Sequence, residues 1–153
     1  GKKSTYRAVR ISQATSAAAL SELLSLLLAA YDDRGLVGDR ITLSVPEILI
    51  GEGSITTLAL IVHELATNSL KYGALSRVCG HLQISCTVDD REVILVWKET
   101  GGPPIAALRG QPGFGSKLIR NSVSEQLSGT IHFSWPHEGV VVTLRLNKAR
   151  LGV

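Results

Sequence analysis

The sequence predicts an α+β fold: a mixed, mostly antiparallel sheet with helices packed on one face. Three observations lead there. Apolar–polar alternation, the period of a half-buried strand, occurs in paired runs around short polar turns, as in "HLQISCTVDDREVILVWKE". Stretches with helical spacing separate those runs, giving the order β-α-β-α-ββ-α-ββ. No repeat, linker or low-complexity tract interrupts the 153 residues, so 1–153 reads as one domain, long enough to bury a core.

Taken in order, "YRAVRIS" (Tyr6 to Ser12) alternates and reads as a first strand. "SAAALSELLSLLLAAYDD" (Ser16 to Asp33) consists of strong helix formers, with Ser16 placed to cap it and Gly35 and Gly38 to end it. "RITLSVPE" (Arg40 to Glu47) alternates Ile41, Leu43 and Val45 before a proline that closes the strand. "ILIGEGS" supplies a short extended piece and a turn, and Ser54 is the expected cap of the next helix. That helix runs from about Ile55 to Ala74, its buried side formed by Leu58, Ile61, Val62, Leu65 and Leu70. His81 to Glu99 is a hairpin around "DDR". Thr100 to Ser116, rich in Gly and Pro, is an irregular loop. Lys117 to Gly129 is a helix ending at a glycine cap, and Thr130–Trp135 with Gly139–Leu146 form a closing strand pair around "PHE".

Composition narrows the function classes. With 44% hydrophobic and 19% charged residues the chain is globular rather than disordered. The apolar run "LLSLLLAA" falls well short of the roughly 18 to 20 residues of a membrane span, and the N-terminus lacks a signal-peptide core. A cytoplasmic segment without direct membrane contact is expected. The net charge of +3 comes from scattered Lys and Arg, with no basic stripe interleaved with aromatics, which argues against nucleic acid. It suits a small anionic ligand equally well. Cys79 and Cys86, with no CxxC or paired-His spacing, read as reduced, packed thiols rather than zinc ligands.

Three stretches carry chemistry. In "IVHELATNSLKYGAL" Glu64, Asn68 and Lys71 fall on one narrow helical stripe, since each residue advances about 100°. A carboxylate and an amide oxygen are hard ligands suited to Mg²⁺ or its waters, and an ammonium suits phosphate. The same trio also reads as a solvated helix face held by side-chain pairs. In "VWKETGGPP" Glu99 stands where a strand opens into a Gly-Gly turn, placed to accept from an exocyclic amine or simply to end the strand. In "GFGSKLI" glycines run into a helix whose free N–H groups favour phosphate oxygens. That spacing is neither a Walker A sequence nor a dinucleotide fingerprint.

In this order the three stretches resemble the nucleotide-binding domain of sensor histidine kinases, and more narrowly the HWE family within the Bergerat-fold (GHKL) ATPases. "HELATNSLKYGALS" is similar to the N box, with His63 as the family's histidine; "WKETGGP" to the G1 box, with Trp97 and Glu99; and "GFGSKLI" to the G2 box. The resemblance covers about Tyr6 to Leu146 and implies a Bergerat-type two-layer sandwich that takes ATP and Mg²⁺. It implies that Asn68 coordinates the metal and that Glu64 stands beside its waters as the base of phosphotransfer. Lys71 would meet phosphate and Tyr72 the ribose or phosphate side. Glu99 would read the adenine amine, with Gly101 and Gly102 admitting the base. Gly113, Phe114, Gly115, Ser116 and Lys117 would close over the phosphates, with Leu118 near the base or sugar. His63, about 100° from Glu64, reads as structural, Trp97 as a core aromatic, and His81, His132 and His137 as surface or strand residues.

The phosphoacceptor stretch H-R-x-K-N of that family has no counterpart here. The resemblance therefore implies a catalytic domain acting on a histidine in a dimerisation domain outside this chain, with a response regulator downstream. Stable autophosphorylation of this chain alone is not expected. The alternative is a nucleotide-free phosphotransferase or docking module of the same fold, although such proteins typically lose the N-box Asn or the glycines, and both are present.

Overall fold

Residues 17–33, 40–104 and 114–152 are described by the computed structural model. In chain order the elements are β1 (Ala17–Ala19), α1 (Leu20–Asp33), β2 (Ile41–Ser44), β3 (Leu49–Gly51) and α2 (Glu52–Tyr72). A single 3₁₀ turn (Ala74–Ser76), β4 (His81–Val88), β5 (Glu92–Thr100), α3 (Phe114–Leu127), β6 (Thr130–Ser134) and β7 (Val141–Asn147) follow. Alternation along the central strands sets the architecture. Leu82, Ile84 and Cys86 of β4, Val93, Leu95, Trp97 and Glu99 of β5, and Val142, Leu144 and Leu146 of β7 are all buried on one face. β4, β5, β7 and β6 pair antiparallel and β2 runs parallel to β4, giving the order β2-β4-β5-β7-β6. This is the mixed, mostly antiparallel sheet that the alternation predicts.

Among the described residues three helices cover the inner face, with α2 packed against both α1 and α3. Leu20, Leu24 and Leu28 of α1, Leu58, Ile61 and Leu65 of α2, and Ile119, Val123 and Leu127 of α3 recur at helical spacing and are all nearly inaccessible. Burying each such side chain stabilises the fold by about 1.5–3 kcal/mol. On the outer sheet face Gln83, Lys98 and Arg145 are exposed and Ile94 and Val96 half-buried, so this face is solvated. Arg145 pairs there with Glu92 at 2.9 Å, an exposed bridge of little energetic weight.

Several boundaries differ from expectation. The strand expected at Tyr6–Ser12, the cap Ser16, and Gly113 lie outside the described residues. Ala17–Ala19, expected to be helical, is extended and pairs antiparallel with Leu49–Gly51. Alanine is the best helix former, yet strand pairing supplies a long-range partner that propensity does not register. α2 begins at Glu52 with Gly51 at its N-cap; Ser54, the expected cap, is buried in the first turn and donates its hydroxyl to the Arg150 carbonyl at 3.0 Å. α3 takes in Phe114, Gly115 and Ser116, so the glycine-rich loop is shorter than expected, because a glycine weakens a helix by about 1 kcal/mol without forbidding its first turn. At its other end Ser128, not Gly129, adopts the left-handed conformation (φ 50°), while the Gly129 N–H donates to the Val123 carbonyl at 3.0 Å.

Both cysteines are free, but only Cys86 is packed; Cys79 lies exposed in the turn after the 3₁₀ segment. Burial pushes the Cys86 thiol up to about 11, which suppresses its thiolate. Ellman's reagent is therefore expected to titrate one thiol in the native chain and the second only on denaturation. Two thiols reacting at equal rates in the native state would contradict this packing.

Candidate functional site

α2 carries two stripes. Leu58, Ile61, Val62, Leu65, Ala66 and Ser69 form the buried one. Beside it Glu64 and Asn68 are half-buried and Lys71 is exposed. The three lie within about 60° of arc and along roughly 10 Å of helix axis. Among the described residues, none of these three side chains takes part in a hydrogen bond or an ion pair. Half-buried oxygens without a protein partner are the ligand type a hard cation or its waters take, so Glu64 and Asn68 fit Mg²⁺. Among the described residues no three His, Cys, Asp or Glu side chains converge into a protein-only metal site. A cation on this stripe would take its remaining ligands from water and phosphate, as Mg²⁺ usually does. Tyr72, the last residue of α2, is 45% exposed.

The helix runs directly into a buried carboxylate. Glu99, near the end of β5, is only 5% exposed. Its Oε1 accepts from the Ala74 N–H at 2.9 Å and its Oε2 from the Trp97 indole N–H at 2.7 Å. Nearby, the Ser69 hydroxyl accepts from the Leu75 N–H at 3.2 Å. Burial pushes the Glu99 carboxyl above its ordinary 4.5, against the opposing pull of Ala74, Trp97 and Ser69. Gly73 makes room for it: a Cβ there would sit 2.1 Å from Glu99 Oε1. Asn68, five residues before Gly73, stands roughly 7–8 Å up the helix axis from this carboxylate end.

A buried arginine anchors the same junction. Arg40, just before β2, donates to the carbonyls of Ala74, Arg77 and Gly80, tying down the turn whose Ala74 N–H meets Glu99. Gly101 adopts φ +75°, and a Cβ on Gly102 would lie 2.9 Å from the Ala74 nitrogen. The Gly-Gly turn thus packs closely on the protein's own 73–80 backbone. His63 is exposed and bridges helices, its Nδ1 lying 3.2 Å from the Tyr31 hydroxyl of α1. His81 meets Thr42 at 3.2 Å across β4 and β2, while His132 and His137 are exposed. Phe114, Gly115, Ser116 and Leu118 fall in the first turns of α3, where Lys117 is exposed, and α3 packs on α2.

Sequence patterns did not pick out Arg40, Ser69, Gly73 or Ala74. Only Ser69 left a trace, as a polar residue four positions after Leu65 that follows the apolar run of Leu58, Ile61, Val62, Leu65 and Ala66 on the buried side. The others act through backbone groups brought together by folding.

No protein-family model matches the chain. Blue-light-activated histidine kinase 1 of Erythrobacter litoralis is 37% identical over 132 residues, covering 85% of this chain and 36% of that protein. The blue-light-activated histidine kinase of Brucella anthropi is 31% identical over 127 residues, covering 80% of this chain and 25% of that protein. The chain thus spans about a third or less of the length of these relatives. Among solved structures, the catalytic domain of histidine kinase ThkA superposes with a TM-score of 0.68 at 15% identity, covering 86% of this chain and 95% of that one. ThkA in complex with the response regulator protein TrrA gives 0.66 at 16% identity, covering 88% of this chain and 42% of that one. The fold is that of a histidine kinase catalytic domain. By fold and by kinship the chain is a histidine kinase catalytic domain, related to the blue-light-activated, HWE-type kinases.

Two predictions test the junction. Arg40→Met leaves buried carbonyls without their donor and is expected to lower unfolding free energy by about 2–3 kcal/mol in urea titration; a change below about 0.5 kcal/mol would show that the clamp is idle. Glu99→Gln removes a carboxyl that binds its proton more tightly folded than unfolded. The wild-type carboxyl adds stability at low pH that is lost as pH rises through its raised folded value. The unfolding free energy of wild type minus Glu99→Gln should therefore increase as pH falls from about 7 towards the ordinary carboxylate range. A flat difference across that range contradicts the raised carboxyl.

Proposed function

We propose that this chain binds Mg·ATP and delivers the γ-phosphoryl group to a histidine on a dimerisation domain outside it. The observation that carries this reading is the unpartnered Glu64–Asn68–Lys71 stripe, leading along one helix to the buried Glu99 carboxylate. Membership of the histidine kinase catalytic domains supports it.

Each residue then has a task its chemistry suits. The Asn68 amide oxygen holds the cation, and the Glu64 carboxylate one turn away orients its waters and takes the proton of the attacking imidazole. Lys71 places a point charge against phosphate, and the exposed Tyr72 flanks the ribose or phosphates. Glu99 accepts from the adenine amine, beside the Gly101–Gly102 turn. Gly113, Phe114, Gly115, Ser116, Lys117 and Leu118 close over the nucleotide, with helix N–H groups directed at phosphate oxygens. Mg²⁺, when bound, neutralises charge on the transferring phosphoryl group. Because phosphoryl transfer needs little covalent chemistry from protein, positioning and charge are what these residues supply. A response regulator is the proposed recipient downstream, by analogy with the ThkA–TrrA complex.

Calorimetric titration with Mg·ATP tests the reading. Asn68→Ala is expected to weaken Mg-dependent binding by about 10- to 100-fold or more, and Glu99→Ala by about tenfold with loss of base preference. Unchanged affinity in both variants would sink the site assignment. Incubation with ATP alone should leave no stable phosphohistidine on this chain, whereas an HWE-type dimerisation domain added in trans should become labelled.

A further inference from the structure

We propose that Trp97 is a positioning residue for base recognition: its indole N–H holds the Glu99 carboxylate in one orientation, with an acceptor position left for the exocyclic amine of adenine. This rests on the nucleotide reading above and assigns Trp97 a role beyond core packing.

Trp97 and Glu99 are two residues apart on β5, so both side chains leave the same face, roughly 6.5–7 Å apart along the strand. Trp97 is 3% exposed and Glu99 5%. A buried indole N–H requires an acceptor and a buried carboxylate requires donors; at 2.7 Å each satisfies the other. The extra methylene of glutamate, relative to aspartate, lets the carboxylate fold back towards its i−2 neighbour. A carboxylate offers about four lone-pair positions. The Ala74 N–H occupies one on Oε1 and the Trp97 indole one on Oε2, which leaves one free on each oxygen. A free position of this kind suits a donor such as the C6 amine of adenine and rejects the C6 carbonyl of hypoxanthine or guanine, which is itself an acceptor.

Losing the indole N–H alters both the count and the charge. A further acceptor position opens on Oε2 and the carboxylate is free to turn about its last torsion. Burial already favours the protonated carboxyl, and the indole is one of three groups opposing it. A protonated, reoriented Glu99 can donate to a C6 carbonyl, so preference for adenine should fall even where total affinity does not.

The test is a double-mutant cycle read as the ratio of Mg·ATP to Mg·ITP affinity by calorimetry, on wild type, Trp97→Phe, Glu99→Gln and the double variant. Wild type should favour ATP. Trp97→Phe, which keeps an aromatic ring but lacks the donor, should lower the ATP:ITP ratio by about tenfold. In the Glu99→Gln background the same substitution should leave the ratio unchanged, because Trp97 acts through that carboxylate. An unchanged ratio in Trp97→Phe, or an equal drop in both backgrounds, overturns the inference while leaving nucleotide binding intact. A wild type that binds no ATP overturns the nucleotide reading and this inference together. Should Trp97→Phe fail to fold, the wild-type indole N–H resonance of Trp97 decides: a clear shift on ATP and little on ITP supports the role, and equal or no response overturns it.

Discussion

A carboxylate removed from water costs several kcal/mol unless donors meet it, and the fold brings the Ala74 N–H and the Trp97 indole to Glu99. Hydrogen bonds to a charged group each contribute about 1.5–3 kcal/mol. Their combined pull does not fully offset desolvation, since the carboxyl still lies above its ordinary range. This near-balance constrains everything around it. Gly73 cannot carry a Cβ, the Ala74 N–H must point at Oε1, and Trp97 must present its nitrogen rather than a ring edge. The junction joins the end of α2 to the end of β5, so the helix bearing the polar stripe is locked to the central sheet.

Arg40 extends that constraint to the sheet edge. It stands immediately before β2, which pairs parallel to β4, and holds the 73–80 turn by three carbonyls. The turn in turn packs against the Gly101–Gly102 backbone. A nucleotide entering beside Glu99 would meet a wall of fixed backbone, which lowers the ordering cost of binding. Rigid elements also hold ligating groups more closely than loops do.

α2 reconciles two demands on one helix. Its buried stripe packs on α1 and α3, while the adjacent Glu64 and Asn68 remain half-buried without protein partners. Polar groups kept unsatisfied contribute nothing to folding, so their stability must come from the neighbouring Leu58, Ile61 and Leu65. His63, beside Glu64 in sequence, faces outward and links to Tyr31 instead. That contact ties α1 to α2 and leaves the carboxylate next to it unengaged.

The sequence by itself determined the sheet, the three helices and their order, because strand and helix periods are written locally in residues such as Ile84, Leu95, Ile61 and Val123. It also marked Glu64, Asn68, Lys71 and Glu99 by residue type and spacing. Boundaries were less legible: Ala17–Ala19 became a strand through a partner thirty residues away, and Ser54 lost its expected cap to the Arg150 carbonyl. What only the tertiary structure decided was the environment of Glu99. Its burial, its bond to Trp97, and the parts played by Ser69, Gly73, Ala74 and Arg40 arise from groups far apart in the chain, most of them backbone atoms that every residue carries. Periodicity reports which face a side chain occupies; hydrogen-bond partners and desolvation depend on what else folding brings to that face.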